Sequence, residues 1–281
     1  MSKRSVQRVI KAVVTSDGAG VRLRRSLGQR PDVRLDPFLM LDEFSSDDPN
    51  DYLAGFPDHP HRGFETVTYM LEGHMLHQDH LGNRGHLESG GAQWMTAARG
   101  IIHSEMPQQA EGRMRGFQLW INLPAREKLK PASYRDVRPG EIPEVVLPGG
   151  VAARVLAGVV DAETGRIEGP IRGVTTEPTF IDVALPPEAC FRHVLAAHHN
   201  ALLYVFEGQV RVDDVRVAGH EAALLSSGHE VEVEADGGGA RFLLLAARPL
   251  NEPVVQYGPF VMNSREEIEQ ALEDYRNGRL V

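Results

Sequence analysis

Apolar runs of strand length, separated by glycine-containing breaks, recur along nearly the whole chain, and this period limits the possible folds more than any other feature. A first series covers residues 66–71, 93–96 and 117–123. A second covers residues 154–157, 180–185, 202–206, 230–234 and 241–246. Valine and aromatic residues dominate both series, as expected of strands. Asn83-Arg84-Gly85 is a turn signal inside the first series. Between the series lie Pro131, Pro139, Pro143, Pro148, Gly149 and Gly150, which read as a linker. One long helix is expected, at the end of the chain. There Ser264 and Glu267 form a capping box, and Ile268, Ala271, Leu272 and Tyr275 share a face. The stretch Tyr69-Met70-Leu71-Glu72-Gly73 recurs as Tyr204-Val205-Phe206-Glu207-Gly208, each copy ending an apolar strand. An all-β chain of two β-barrel or jelly-roll domains accounts for this repeat. The expected division is 1–130, a linker at 131–150, and 151–281 carrying the helix; 281 residues suffice for two cores.

The chemistry concentrates in the first half. In Asp58-His59-Pro60-His61 the two imidazoles are two residues apart, so on an extended chain they point to the same side. In Gly100-Ile101-Ile102-His103-Ser104-Glu105 the same spacing pairs His103 with Glu105. Two such strands facing each other deliver three imidazoles and a carboxylate to one ion, at metal–nitrogen distances of about 2.1 Å. That donor set suits one divalent metal per chain: Fe(II), Mn, Co, Ni or Zn. It contains no thiolate, unlike a closed structural zinc site. Glu65 shares parity with His59 and His61 and is the alternative carboxylate ligand, unless a bulge at Arg62-Gly63-Phe64 breaks the alternation. His74, His77, His80 and His86 gather around the Asn83 turn and read as a solvated hairpin, with His77 and Asp79 placed to orient the metal ligands. His198 and His199 are adjacent, so their rings point to opposite faces. Shifting His59, His61 and Glu65 by the period of the repeat gives Val194, Ala196 and Asn200, so no second metal site is expected.

Composition narrows the partners. A net charge of −9 gives no long-range attraction to nucleic acid, and the basic run at residues 22–25 reads as a solvated strand edge. No apolar run approaches membrane length, and the first residues lack the apolar core of an export signal. The single cysteine, Cys190, cannot form an intramolecular disulfide, which fits a reducing compartment. A cytoplasmic protein is expected.

The motifs match the cupin superfamily loosely and the pirin family far more closely. Arg24-Arg25-Ser26-Leu27-Gly28 and Leu35-Asp36-Pro37-Phe38-Leu39 resemble the start of pirins. Gly55-Phe56-Pro57-Asp58-His59-Pro60-His61-Arg62-Gly63-Phe64-Glu65-Thr66-Val67 is similar to the family signature almost throughout. The likeness continues through Gln93-Trp94-Met95-Thr96-Ala97, the His103–Glu105 motif and Gln118-Leu119-Trp120-Ile121-Asn122-Leu123. It resumes at Gly258-Pro259-Phe260-Val261-Met262-Asn263. The resemblance implies two cupin barrels facing each other, with iron, Fe(II), in the N-terminal one. It places the metal ligands at His59, His61, His103 and Glu105. Two kinds of activity follow from it. One is quercetin 2,3-dioxygenase chemistry, in which O2 cleaves a flavonol and carbon monoxide is released. The other is a non-enzymatic, iron-dependent regulator that binds a transcription factor or a metabolic enzyme.

Of these, a dioxygenase acting on a small aromatic substrate with O2 is the favoured expectation. Glu105 would be the catalytic group, accepting the flavonol hydroxyl proton. Phe56, Phe64, Met95 and Trp94 flank the ligands in sequence and are candidate walls for an aromatic ring.

Overall fold

The computed structural model describes residues 2–281 and is mostly β. The first strands are β1 (Val6–Lys11), β2 (Val13–Asp17), β3 (Val21–Leu27), β4 (Phe38–Ser46), β5 (Phe56–His61) and β6 (Phe64–Glu72). Next come β7 (His74–Asp79), β8 (Arg84–Glu88), β9 (Ala92–Thr96), β10 (Ile101–Pro107), β11 (Met114–Asn122) and β12 (Ser133–Val137). They continue as β13 (Glu144–Leu147), β14 (Val151–Ala157), β15 (Val159–Ala162), β16 (Gly165–Glu168), β17 (Thr179–Leu185) and β18 (Cys190–Val194). The last are β19 (Asn200–Val212), β20 (Val215–Ala218), β21 (Glu221–Leu225), β22 (Glu230–Ala247), β23 (Val255–Tyr257) and β24 (Phe260–Met262). The helix α1 (Arg265–Arg276) follows, capped by Ser264 and Glu267 as the sequence predicts. No helix among the described residues is long and apolar enough to cross a membrane.

Two compact units form, and neither is contiguous in sequence. One gathers the segment ending at Val13, residues Gln29–Pro37 and Gly140–Pro249. The other gathers Val14–Gly28, Phe38–Pro139 and Leu250–Val281. The expected division at 131–150 differs from this in three ways, the first being that the segment ending at Val13 and Gln29–Pro37 join the unit of the second strand series. The proline-rich stretch is used as ladder: β12 pairs with β9, and β13 pairs with β14. The helix packs with the unit that holds the first strand series, where Ile268 and Ala271 bury against Phe260, Met262 and Leu280. Leu272 is half-buried and Tyr275 exposed, so the buried face is narrower than the sequence pattern.

Each unit contains one large sheet, and the two have the same plan. In one the order is β12-β9-β6-β11-β4-β3-β2, and in the other β1-β21-β19-β22-β17-β14-β13. The sequence repeat falls on equivalent strands, β6 and β19. Tyr69 and Tyr204 are fully enclosed, and Gly73 (φ 110°) and Gly208 (φ 68°) take the left-handed backbone that ends each apolar run. A Cβ on Gly208 would lie 2.2 Å from the Gly239 carbonyl oxygen. The interior of the second unit is closed by Val, Leu, Ala and Phe side chains, including Phe191, Leu203, Phe242 and Leu244. The first unit adds a four-stranded sheet, β5-β10-β7-β8, and this sheet carries the histidines.

Candidate metal centre

β10 lies between β5 and β7 and is antiparallel to both, with His103 directly opposite His59. His61 joins them from the same side of β5, two residues on. One ring nitrogen from each of His59, His61 and His103 lies within 4.8 Å of those of the other two. The ring centroids are 4.7 Å apart for His59 and His61, 4.4 Å for His59 and His103, and 5.0 Å for His61 and His103. His61 and His103 are buried, and His59 is half-buried. The chain then leaves this sheet: Arg62 and Gly63 carry it from β5 into β6 of the larger sheet. A Cβ on Gly63 (φ 92°) would sit 1.9 Å from the Val261 carbonyl oxygen, so glycine is required at the crossing.

The three imidazoles fit a cation. His59 Nδ1 lies 2.8 Å from the Pro57 carbonyl oxygen, which leaves Nε2 as its ligand atom. His61 Nδ1 and His103 Nε2 are enclosed without a hydrogen-bond partner. Burial, reinforced by neighbouring imidazoles, holds His61 and His103 well below the usual histidine range. Both rings are therefore neutral and keep a lone pair. Enclosed nitrogens without partners are costly to bury, and a divalent ion removes that cost.

Glu105, the fourth ligand read from the sequence, lies outside this group. The extra residue in the β5–β10 register lies on β5, between Phe56 and His59, while β10 runs in unbroken register with β7, so Glu105 keeps the face of His103 and its carboxylate is turned to other partners. Its buried carboxylate accepts hydrogen bonds from Thr68 Oγ1 and Gln118 Nε2, both at 2.9 Å. Glu65 is also outside the group, because the change of sheet at Arg62-Gly63 breaks its parity with β5. It is buried, accepts from Thr96 Oγ1 at 2.7 Å, and is pushed up by burial.

The other histidines divide differently from a solvated hairpin. His77 on β7 is buried, with Nδ1 3.2 Å from His103 Nδ1. Asp79 acts on His77 through its charge. It also closes the β7–β8 turn, accepting from the backbone of Leu81 and Asn83 and from the Asn83 amide. That turn uses Gly82 (φ 81°), whereas Arg84 and Gly85 already lie within β8, so the turn falls ahead of the sequence signal. His74 and His86 pair on the exposed face of the same hairpin, 2.8 Å apart. His198 and His199 lie in a turn and not in a strand, so adjacency does not send their rings to opposite faces: the centroids are 4.7 Å apart, with His198 exposed and His199 buried.

A cavity of about 610 Å³ opens beside His59 and His61. Leu39, Met40, Phe56 and Trp120 supply its apolar surface, and Gln118, Gln256, Asp17, Asp58 and Arg25 its polar groups. Of the four wall candidates, Phe56 lines it. Phe64 stands behind, its ring centroid 4.3 Å from that of Trp120. Trp94 is buried away from the lining, and Met95 packs with Ala97 and Ile101. Trp120 and Gln118 are among the lining residues outside the four candidates. Their alternation along β11 is the signal that marks them, since residues two apart share a face. Arg25, expected at a solvated strand edge, grips Asp42 at 2.8 and 2.6 Å and reaches Asp17 at 2.7 Å.

Two barrel units of one strand plan, with inward imidazoles in one of them, define a bicupin. The Pirin family model matches residues 20–121, and the model for the Pirin C-terminal cupin domain matches residues 180–281. The chain is 57% identical over 268 residues to a Pseudomonas aeruginosa protein provisionally named a quercetin 2,3-dioxygenase, covering 94% of each. It is 50% identical over 279 residues to a pirin-like protein of Caulobacter vibrioides, covering 99% of this chain and 100% of that one. It also superposes on the crystal structure of quercetin 2,3-dioxygenase from Acinetobacter baumannii with a TM-score of 0.91, at 32% identity and over 99% of both chains. The chain belongs to the pirin family.

Proposed function

We propose that the protein is a metal-dependent dioxygenase that cleaves a flavonol such as quercetin with O2. His59, His61 and His103 would hold one divalent metal, and Glu105 would be the fourth ligand and the base. The observation that carries this reading is three imidazoles, two of them enclosed and neutral, beside an apolar-walled cavity large enough for an aromatic substrate. The names of the Pseudomonas and Acinetobacter relatives support the same chemistry. Fe(II) is the expected metal, and Mn, Co, Ni or Zn would suit the same nitrogens.

When bound, the metal would supply a Lewis acid that lowers the pKa of a substrate hydroxyl and a place where substrate and O2 meet. The chain's own residues do the rest. Leu39, Met40, Phe56 and Trp120 exclude water and fix the aromatic plane. Glu105 takes the hydroxyl proton, and the two donors on its carboxylate, from Thr68 and Gln118, hold it in place. Gln118 lines the cavity as well as touching Glu105, so it links the base to the substrate's wall. Both atoms of O2 enter the product and one carbon leaves as carbon monoxide, so no external reductant is required.

The test is carbon monoxide release. Protein loaded anaerobically with Fe(II) and then given quercetin and O2 should release one carbon monoxide per flavonol consumed. Glu105→Gln should lower turnover by about 10²–10⁴ while leaving flavonol binding nearly unchanged. No carbon monoxide from fully loaded protein would refute the flavonol reading and leave a metal-dependent binding role in its place.

A further inference from the structure

The row of imidazoles does not stop at the three candidate ligands. In the four-stranded sheet it runs from β5 across β10 and on to β7, where His77 lies diagonal to His103. The direct cross-strand partner of His103 is Asp79, and that of Glu105 is His77, so the His77–His103 contact joins neighbours two residues out of register. Both rings are buried, at 2% and 1% exposure, and their Nδ1 atoms are 3.2 Å apart. One of these two nitrogens must carry the hydrogen and the other must accept it. On the far side of the same ring, His103 Nε2 is enclosed with no partner. His59 has the equivalent arrangement with a different partner, the Pro57 carbonyl oxygen 2.8 Å from Nδ1.

We infer that His77 is the positioning residue for His103: its Nδ1 accepts the His103 Nδ1 hydrogen, which leaves Nε2 of His103 bare and aimed at the metal. This rests on His103 being a metal ligand, as proposed above. A neutral imidazole has one hydrogen and two nitrogens, so the partner of one nitrogen decides which lone pair is offered at the other. For His59 a backbone carbonyl makes that choice, because a carbonyl can only accept. At His103 no carbonyl is in position, and the acceptor is the Nδ1 atom of His77. His77 itself must then carry its hydrogen on Nε2, the atom that is enclosed without a partner beside the Tyr134 ring, 5.3 Å between centroids. The sequence offers His77 and Asp79 together as groups that could orient the metal ligands, without saying which ligand either would meet. The sheet order, with β10 between β5 and β7, turns His77 inward against His103.

Two variants separate positioning from packing. His77→Leu keeps bulk but removes the acceptor, and His77→Asn keeps an acceptor oxygen close to the lost Nδ1. Removing an orienting partner of a ligating histidine typically weakens metal affinity about 10–100-fold. Zn(II) titration by competition with a chelator should show that loss in His77→Leu and near wild-type affinity in His77→Asn, both with the apo-protein melting temperature checked. Nitrogen-15 spectra of the Zn(II)-loaded wild type should show His103 protonated at Nδ1 and metal-bound at Nε2. Equal Zn(II) affinity in wild type and His77→Leu, equal losses in both variants, or a His103 protonated at Nε2 would each overturn the inference. Wild-type protein that binds no Zn(II), Fe(II), Mn, Co or Ni would instead defeat the metal reading on which it stands.

Discussion

His61 shows how one side chain can be committed to a metal before any metal arrives. It is enclosed, its Nδ1 has no partner, and burial keeps it neutral well below the usual histidine range. Its neighbours on the site face are two further imidazoles, which would repel one another if charged. His61→Ala should therefore abolish stoichiometric metal binding while leaving the fold intact, as read by metal analysis and circular dichroism. A variant that still holds one tightly bound equivalent would show that the ion sits elsewhere. Parity made His59, His61 and His103 legible in the sequence, because an unbroken strand fixes which side each residue faces. Glu105 and Glu65 obey the same parity and lie outside the cluster. The hydrogen bonds that draw the Glu105 carboxylate to Thr68 and Gln118, and the change of sheet at Arg62-Gly63, depend on other strands, and a single strand's sequence does not encode them.

At the scale of elements, the last 32 residues, Leu250–Val281, are stitched to the strand that carries His61. The Arg62 backbone donates to the Pro259 carbonyl at 3.3 Å and accepts from Val261 N–H at 3.0 Å. The Arg62 guanidinium donates to the Arg99 and Leu280 carbonyls and pairs with Asp274 of α1 at 2.7 Å. Lys128 completes the join, donating to the Gly63 and Val261 carbonyls and to Asn122 Oδ1 at 2.6, 2.9 and 2.6 Å. Lys128→Met leaves those three oxygens without their donor and should cost roughly 2–5 kcal/mol in denaturant unfolding. Burial also pushes Lys128 from 10.5 down to about 7. Between those values the unfolded chain binds the proton and the folded chain does not, so wild-type stability should rise as pH climbs from about 7 toward 10.5. Lys128→Met should lack that rise, and parallel pH profiles for the two proteins would contradict it. The capping box at Ser264 made α1 itself legible. Where α1 docks was not, since Arg62 and Lys128 lie far away in sequence and their partners emerge only once the sheets have formed.

The molecule uses one strand plan twice, and among the described residues one copy carries an inward cluster of imidazoles. The repeat of Tyr69-to-Gly73 at Tyr204-to-Gly208 disclosed that duplication, because a buried tyrosine and a left-handed glycine are required at equivalent places. The pairing of β1 with β21, and the return of the final segment to the other unit, left no such trace. In the second unit Phe242 is fully enclosed among Val, Leu, Ala and Phe side chains. Phe242→Ala should cost about 3–5 kcal/mol of stability yet leave metal binding at one equivalent per chain, measured on the folded fraction. A loss of metal in step with the cavity would mean that the second unit takes part in holding it.

On the function proposed above, the His59–His61–His103 cluster drives oxygen chemistry on a flavonol. Oxygen consumption by anaerobically Fe(II)-loaded protein on addition of quercetin tests it most directly, with wild type and His61→Ala compared at equal protein. Flavonol-dependent uptake is expected in the wild type, in proportion to bound metal, and none above background in His61→Ala. Fully loaded, freshly reduced wild-type protein that consumes no oxygen with quercetin, or equal uptake by the two proteins, would contradict it.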